Sequence, residues 1–171
     1  MTRILITGPE SSGKTTLAIQ LAEALGGRYW PEYARAWLMA QDGHYRPRDL
    51  DIMLAEQNME RQFAYFQTYQ RPQVFDTGPE TFYTWSFIKY GSVSSFIEAT
   101  CRSAQYDICF LLAPDLPWQK DPLRESPSIE ERMLIFRTSA GRMYHWDWRF
   151  AIISGEDRLE KALNVLKLLD V

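Results

Sequence analysis

The sequence is short of cysteine and histidine, and it contains no long hydrophobic run. Two of its 171 residues are cysteine and two are histidine, which is too few for a disulfide framework or a metal site of these residues. We interpret Cys101 and Cys109 as small buried hydrophobic residues in a reducing compartment. No stretch is long enough to cross a bilayer, and the N-terminal apolar run is too short for a signal peptide. The expected location is cytoplasmic.

The sequence also has no excess of positively charged residues. The formal net charge is −3, so we expect neither nucleic acid nor a membrane surface as a partner. A hydrophobic fraction of 46% excludes a disordered or fibrous chain. The length suits a single domain over residues 1–171 with a small-molecule partner, and the sequence gives no signal for an oligomeric state.

Short apolar runs alternate with helical patterns along the whole chain. This order predicts an α/β fold, with a five-stranded parallel sheet covered by helices on both faces. The predicted strands lie near residues 4–6, 28–30, 73–76, 107–113 and 150–153. The predicted helices cover residues 14–25, 33–40, 49–70, 79–90, 93–104, 128–144 and 159–169. In the longest helix one narrow arc carries the apolar residues Ile52, Ala55, Met59, Phe63 and Phe66.

A complete phosphate-binding loop follows the first predicted strand. The spacing Gly8-x-x-x-x-Gly13-Lys14-Thr15 lets backbone N–H groups wrap a polyphosphate at the start of a helix. Lys14 would neutralise the phosphates and Thr15 would bind Mg²⁺. The predicted cofactors are therefore ATP and Mg²⁺. The residues predicted to bind them are Gly8, Glu10, Ser11, Ser12, Gly13, Lys14, Thr15 and Thr16.

Carboxylates follow the second and third predicted strands, at the edge of the sheet where ligands bind. Glu32 is a candidate general base, and Arg35 lies one helical turn further on. A solvated Glu–Arg pair at a helix N-terminus is an equally good interpretation. Asp76 lies where a second ligand of Mg²⁺ is expected, although an Asp that begins a turn is also common.

A segment rich in proline and charge, about residues 115–140, is the candidate for a small helical lid. Arg124, Arg132 and Arg137 would fold over the triphosphate and stabilise transition-state charge there. Ser128 and Glu131 have the spacing of a capping box, so a helix should begin there. The alternative is an ordinary solvated loop and helix face.

The absence of an Asn-Lys-x-Asp motif argues against a GTPase, and 171 residues leave no room for a motor ATPase. A small-molecule kinase with a mobile lid fits better, since such an enzyme must exclude water from ATP. The class of the acceptor stays open at this point.

Four motifs together resemble the ribosylnicotinamide kinase domain of the NadR family. They are GPESSGKTT at 8–16, PEYARAWL at 31–38, Asp76-Thr77 with Thr81 and Trp85, and Trp118-x-x-Asp121-x-x-Arg124. The resemblance implies phosphorylation of the 5′-hydroxyl of nicotinamide riboside by ATP and Mg²⁺. It supports catalytic roles for Glu32, Asp76 and Arg124 beside Lys14, and substrate contacts for Glu32, Tyr33, Arg35, Gln57, Thr77 and Trp85. Arg132 of the candidate lid is a predicted nucleotide contact.

Two departures from the family pattern bear on the function. Family members often have Asp-Thr-Asp where this chain has Asp76-Thr77-Gly78, so the resemblance leaves the identity of the acceptor open. Larger family proteins also carry an adenylyltransferase domain and some a repressor domain, neither of which we expect here. Two alternatives stay open: a P-loop kinase of another nucleoside or small metabolite, and a non-catalytic regulator that binds ATP.

Overall fold

The computed structural model describes residues 2–68 and 70–170, with the backbone alone for residues 63–68. Over this part of the chain, five strands and seven helices alternate. The strands are β1 (Arg3–Thr7), β2 (Arg28–Trp30), β3 (Gln73–Asp76), β4 (Ile108–Leu112) and β5 (Phe150–Ile153). The helices are α1 (Lys14–Ala24), α2 (Tyr33–Ala40), α3 (Pro47–Thr68), α4 (Pro79–Tyr90), α5 (Ser95–Ser103), α6 (Ile129–His145) and α7 (Arg158–Leu169).

The sheet has the order β2-β3-β1-β4-β5, and every pairing is parallel. Ile6 of β1 pairs with Asp76 of β3, while Thr7 of β1 pairs with Leu111 of β4. The loops that follow β1 and β3 therefore leave the sheet side by side at its carboxyl edge. This edge is where ligands bind in open parallel sheets.

Hydrophobic cores cover both faces of the sheet, as the alternating pattern predicts. On one face Ile4, Ile6 and Phe110 pack with residues of α1 and α7. On the other face Leu5 and Leu111 belong to a cluster that includes Met143 of α6 and Phe75 of β3. A third core joins α2, α3, α4 and α5. Buried strands of this kind are nearly continuous apolar runs because both faces are covered.

The predicted elements are confirmed, with small differences at their ends. α3 begins at Pro47, two residues before its predicted start, and residue 69 at its predicted end lies outside the described residues. α6 begins after the predicted capping box of Ser128 and Glu131. The described helices include none that is long and apolar enough to cross a membrane.

The buried face of α3 differs from the predicted arc. Its buried residues include Leu50, Met53 and Leu54, whereas Ile52 and Met59 are exposed. The predicted contribution of Phe63 and Phe66 lies outside the described side chains. Because α3 packs against α2, α4 and α5, its orientation is set by tertiary contacts, which the apolar spacing of a single helix does not record.

Candidate active site

A cavity of about 530 Å³ opens at the carboxyl edge of β1 and β3, within the usual range for small-molecule sites. All residues of the predicted phosphate-binding loop, 8–16, line it. Opposite them lie Glu32 and Arg35 of the β2–α2 region, Thr77 after β3 and Trp85 of α4. Arg124 closes the cavity from the loop between β4 and α6, residues 113–128, which we call the β4–α6 loop.

The phosphate-binding loop has the backbone geometry that its glycines predict. Gly8 has φ +142°, and a Cβ there would lie 2.6 Å from the carbonyl oxygen of Leu112. Gly13 has φ +79° and directly precedes α1. The N-terminus of α1 therefore points its free N–H groups and positive dipole end at the cavity. The ammonium of Lys14 donates a hydrogen bond to the carbonyl of Pro9 at 2.9 Å.

Thr15 and Asp76 meet as the two predicted metal ligands should. The Thr15 hydroxyl donates to Oδ2 of Asp76 at 2.6 Å, and Tyr29 OH donates to the same oxygen at 3.4 Å. Oδ1 of Asp76 is buried, and no residue that the structure describes hydrogen-bonds to it. A hard oxygen ligand is thus left free beside the phosphate-binding loop. This donor set fits Mg²⁺, which prefers few protein oxygens together with phosphate and water. No cluster of three His, Cys, Asp or Glu side chains suited to a metal occurs among the described residues.

Glu32 precedes α2 and has no hydrogen-bond partner among the described residues, although its side chain lines the cavity. Burial raises the pKa of its carboxyl group above the ordinary value, Lys14 opposes this shift, and Asp76 adds to it. A carboxylate with free oxygens and a raised pKa has the properties of a general base.

Arg35 contacts the β4–α6 loop instead of Glu32. Its guanidinium pairs with Asp121 at 2.6 Å, and this hydrogen bond is the main reason why the pKa of Asp121 is lowered. Lys89 of α4 pairs with Glu125 at 2.9 Å. The β4–α6 loop is therefore held over the cavity from the side of α2 and α4.

The wall opposite the phosphate-binding loop carries hydroxyl groups that the sequence analysis largely missed. Thr81 and Thr84 of α4 line the cavity together with Ser139 of α6, and Thr84 and Ser139 hydrogen-bond at 3.2 Å. The sequence analysis named Thr81 and Trp85 but not Thr84, although its spacing from both places it on the same face of one helix. Trp85 lies edge-on to Phe82 and 6.1 Å from the ring of Tyr45.

Two arginines outside the predicted set hold the loops of the site. Arg61 of α3 donates to the carbonyl of Thr77 at 2.9 Å, and Thr77 has φ +64°, an uncommon conformation for a β-branched residue. Arg158 at the start of α7 donates to the carbonyl of Ser12 at 2.5 Å and pairs with Asp115. Because these contacts join residues that are far apart in the sequence, no local sequence pattern predicts them.

Four predicted site residues do not line the cavity: Asp76, which contacts Thr15, and Tyr33, Gln57 and Arg132. The Tyr33 hydroxyl donates to Glu56 of α3 at 2.7 Å. Gln57 is 1% exposed, and neither polar atom of its amide has a hydrogen-bond partner among the residues described. Arg132 is buried, and it donates to the carbonyl of Leu116, so it holds the β4–α6 loop. Their roles in ligand binding stay predictions. Arg137 is exposed.

The position of the missing family carboxylate, Gly78, is filled by a neighbouring side chain. Glu80 is fully buried, and its Oε1 accepts hydrogen bonds from the Gly78 N–H at 3.2 Å and from the Thr81 hydroxyl at 3.1 Å. A Cβ at position 78 would lie 2.5 Å from Oε2 of Glu80. Burial raises the pKa of Glu80, and a hydrogen bond from Thr7 opposes the shift. The Glu80 carboxylate is therefore buried and does not line the cavity.

The chain has a P-loop kinase-like fold, with a five-stranded parallel sheet and a cavity at the phosphate-binding loop. The chain belongs to the AAA domain family, whose model matches residues 3–160. Comparison with curated proteins found no match.

Solved structures share the fold at low sequence identity. The NadR protein in complex with NR has a TM-score of 0.78 at 16% identity, and the alignment covers 98% of this chain and 50% of NadR. NadR with NAD and AMP-PNP gives 0.75 at 18% identity, with coverage of 98% and 49%. Deoxyadenosine kinase from M. mycoides with dATP gives 0.64 at 14% identity, with coverage of 98% and 100%. This chain spans about half the length of the NadR chains.

Proposed function

We propose that the protein is an ATP- and Mg²⁺-dependent kinase that phosphorylates the 5′-hydroxyl of nicotinamide riboside to give nicotinamide mononucleotide, as in NAD salvage. The observation that carries this proposal is the carboxylate of Glu32, which has no hydrogen-bond partner in the described part of the chain and lies in one cavity with the complete phosphate-binding loop. The fold shared with the NadR protein in complex with NR supports the choice of acceptor. A reaction that consumes ATP fits a cytoplasmic location.

Lys14 and the N–H groups of the phosphate-binding loop hold the triphosphate, and Arg124 approaches it from the opposite side. These groups stabilise the charge that develops on the transferred phosphoryl group. Mg²⁺, held by Thr15 and Asp76, would neutralise further phosphate charge. Glu32 accepts the proton of the acceptor hydroxyl as the new O–P bond forms and the bond to the leaving ADP breaks.

Thr77, Thr81 and Thr84 supply hydroxyl groups for a ribose, and the Trp85 ring supplies a face for a planar base. Arg35, which also lines the cavity, connects it to the β4–α6 loop through its ion pair with Asp121. We propose that residues of about 115–140, which comprise most of this loop and of α6, are the lid of a single domain over residues 1–171. Its closure would exclude water, so that phosphate goes to the acceptor and not to hydrolysis.

A second candidate is a kinase of a different nucleoside. The observation that favours it is the fully buried carboxylate of Glu80, because no acidic side chain follows Thr77 at the acceptor wall. The deoxyadenosine kinase fold is compatible with such an acceptor. A non-catalytic ATP-binding regulator is the third possibility.

An acceptor panel tests these alternatives. Purified protein is incubated with ATP, Mg²⁺ and one of nicotinamide riboside, adenosine, deoxyadenosine, cytidine or thymidine, and ADP release and product mass are measured. The proposal expects nicotinamide mononucleotide as the product with the highest kcat/KM. A different preferred nucleoside would support the second candidate. Turnover with none of them would contradict both kinase functions.

A further inference from the structure

Two side chains within the phosphate-binding loop hold the β4–α6 loop. Oε1 of Glu10 accepts a hydrogen bond from the backbone N–H of Glu125 at 2.9 Å, and Oε2 accepts one from Ser126 at 2.9 Å. The neighbouring Ser11 hydroxyl oxygen accepts a hydrogen bond from the backbone N–H of Gln119 at 3.0 Å. Both residues were expected to contact nucleotide. In the structure, the polar atoms of their side chains are instead engaged by amides of the opposite loop.

These contacts lie on both sides of Arg124. The Arg124 guanidinium donates through Nη1 to the carbonyl of Gln119 at 2.5 Å, and the N–H of that same Gln119 is bound by Ser11. On the other side, the next residue in the chain is bound by Glu10. The position of the arginine relative to the phosphate-binding loop is therefore fixed by that loop itself.

The chemistry of Glu10 makes its contact specific. A carboxylate that accepts two successive backbone N–H groups forms charge-assisted hydrogen bonds, which are stronger than neutral ones. Each oxygen of Glu10 has one amide partner, so the two contacts fix both the distance and the orientation of the loop backbone at residues 125–126. The contacts of Arg35 and Lys89 differ in kind, because each joins two side chains, Arg35 to Asp121 and Lys89 to Glu125, and neither binds a backbone amide of the loop.

We propose that Glu10 and Ser11 are positioning residues that dock the β4–α6 loop onto the phosphate-binding loop and thereby place Arg124 for phosphoryl transfer. This inference rests on the proposed function for its effect on catalysis, while the docking itself does not. Loss of either contact loosens the part of the loop around Arg124, lowers the fraction of molecules with Arg124 in place and admits water.

Hydrogen exchange measures the docking directly and needs no acceptor. The variants are Glu10→Ala, Glu10→Gln and Ser11→Ala, each compared by mass spectrometry or NMR with wild-type protein. The control is Glu130→Gln, since Glu130 is exposed on α6 and its carboxylate has no hydrogen-bond partner among the described residues. The Glu10 variants should speed exchange at residues 125 and 126 by about tenfold or more. Ser11→Ala should act mainly at residue 119, and Glu130→Gln at none of these amides. Unchanged exchange in the β4–α6 loop, or equal acceleration over the whole chain, would overturn the proposal.

Kinetics separate positioning from direct nucleotide binding. With an acceptor that is turned over, Glu10→Ala should lower kcat by about tenfold or more and leave the nucleotide dissociation constant unchanged. The fraction of ATP hydrolysed without transfer should rise. A changed nucleotide affinity with an unchanged kcat would make Glu10 a nucleotide ligand and overturn the proposal. If no acceptor is phosphorylated, the proposed function fails, while the exchange measurement still decides whether the docking exists.

Discussion

The substitution Gly78→Ala tests whether Glu80 is the reason for the missing side chain at position 78. The backbone there has φ −142° and ψ −164°, which is extended and open to any residue. Space is the obstacle, since an added Cβ would lie 2.5 Å from Oε2 of Glu80 and 3.0 Å from both Leu5 Cδ1 and the Tyr106 hydroxyl. Glu80 and Leu5 are fully buried, so neither can move into solvent.

Overpacking of this kind costs about 1–3 kcal/mol of unfolding free energy. In a domain of this size each kcal/mol lowers Tm by roughly 2–4 °C, so Gly78→Ala should lower Tm by roughly 4–8 °C at a mid-range cost of about 2 kcal/mol. Glu80→Ala removes the acceptor of the Gly78 N–H and the Thr81 hydroxyl, at about 1–3 kcal/mol. It also removes the atom with which the new methyl group collides.

The assay is urea or thermal unfolding of the wild type, both single variants and the double variant. The loss of unfolding free energy in the double variant should be smaller, by at least about 1 kcal/mol, than the sum of the losses in the two single variants. Gly141→Ala is the control, because Gly141 lies in α6 and an added Cβ would have no described atom within 4 Å apart from its chain neighbours and its own helix backbone. It should be neutral or stabilising by up to about 1 kcal/mol. Additive effects within about 0.5 kcal/mol would refute the steric argument.

Three further predictions concern the site. Glu32→Gln should lower kcat by roughly 10²–10⁴-fold with nucleotide affinity unchanged, as measured by ADP release and nucleotide titration; a fully active variant would exclude Glu32 as the base. Burial raises the pKa of Glu32, so the base becomes protonated at a higher pH than an ordinary glutamate. On acidification kcat/KM should therefore fall with a midpoint above the ordinary pKa of 4.5. A midpoint at or below 4.5 would contradict this prediction. Asp121→Asn removes the half-exposed pair with Arg35, so stability should change by less than about 1 kcal/mol while the acceptor KM rises. An unchanged KM would show that this ion pair does not affect the binding of the acceptor.

The order of elements and the phosphate-binding loop were predictable because both have local signatures. Apolar runs and helical periodicity mark each strand and helix, and the spacing from Gly8 to Thr15 encodes a backbone shape that few other sequences adopt. The pairing of Thr15 with Asp76 also follows from the sequence, since β1 and β3 end at the same edge of one sheet.

The remaining features depend on contacts between distant segments, which no local pattern records. Glu10 contacts residues more than 100 positions away, and Tyr33 points to α3 because Glu56 is within reach of its hydroxyl. The buried face of α3 is set by the three helices around it. The collision between Glu80 and a side chain at position 78 follows from the turn at Thr77, whose conformation the sequence does not reveal.

The central claim is that the cavity transfers the γ-phosphate of ATP to a ribose hydroxyl with Glu32 as the base. The most direct measurement is a single-turnover reaction of wild type and Glu32→Gln with ATP, Mg²⁺ and nicotinamide riboside, followed by ³¹P NMR and mass spectrometry of the product. We expect nicotinamide mononucleotide with a 5′-phosphate from the wild type, and far slower formation of the same product from the variant. Release of inorganic phosphate alone, or equal rates for both proteins, would contradict the account.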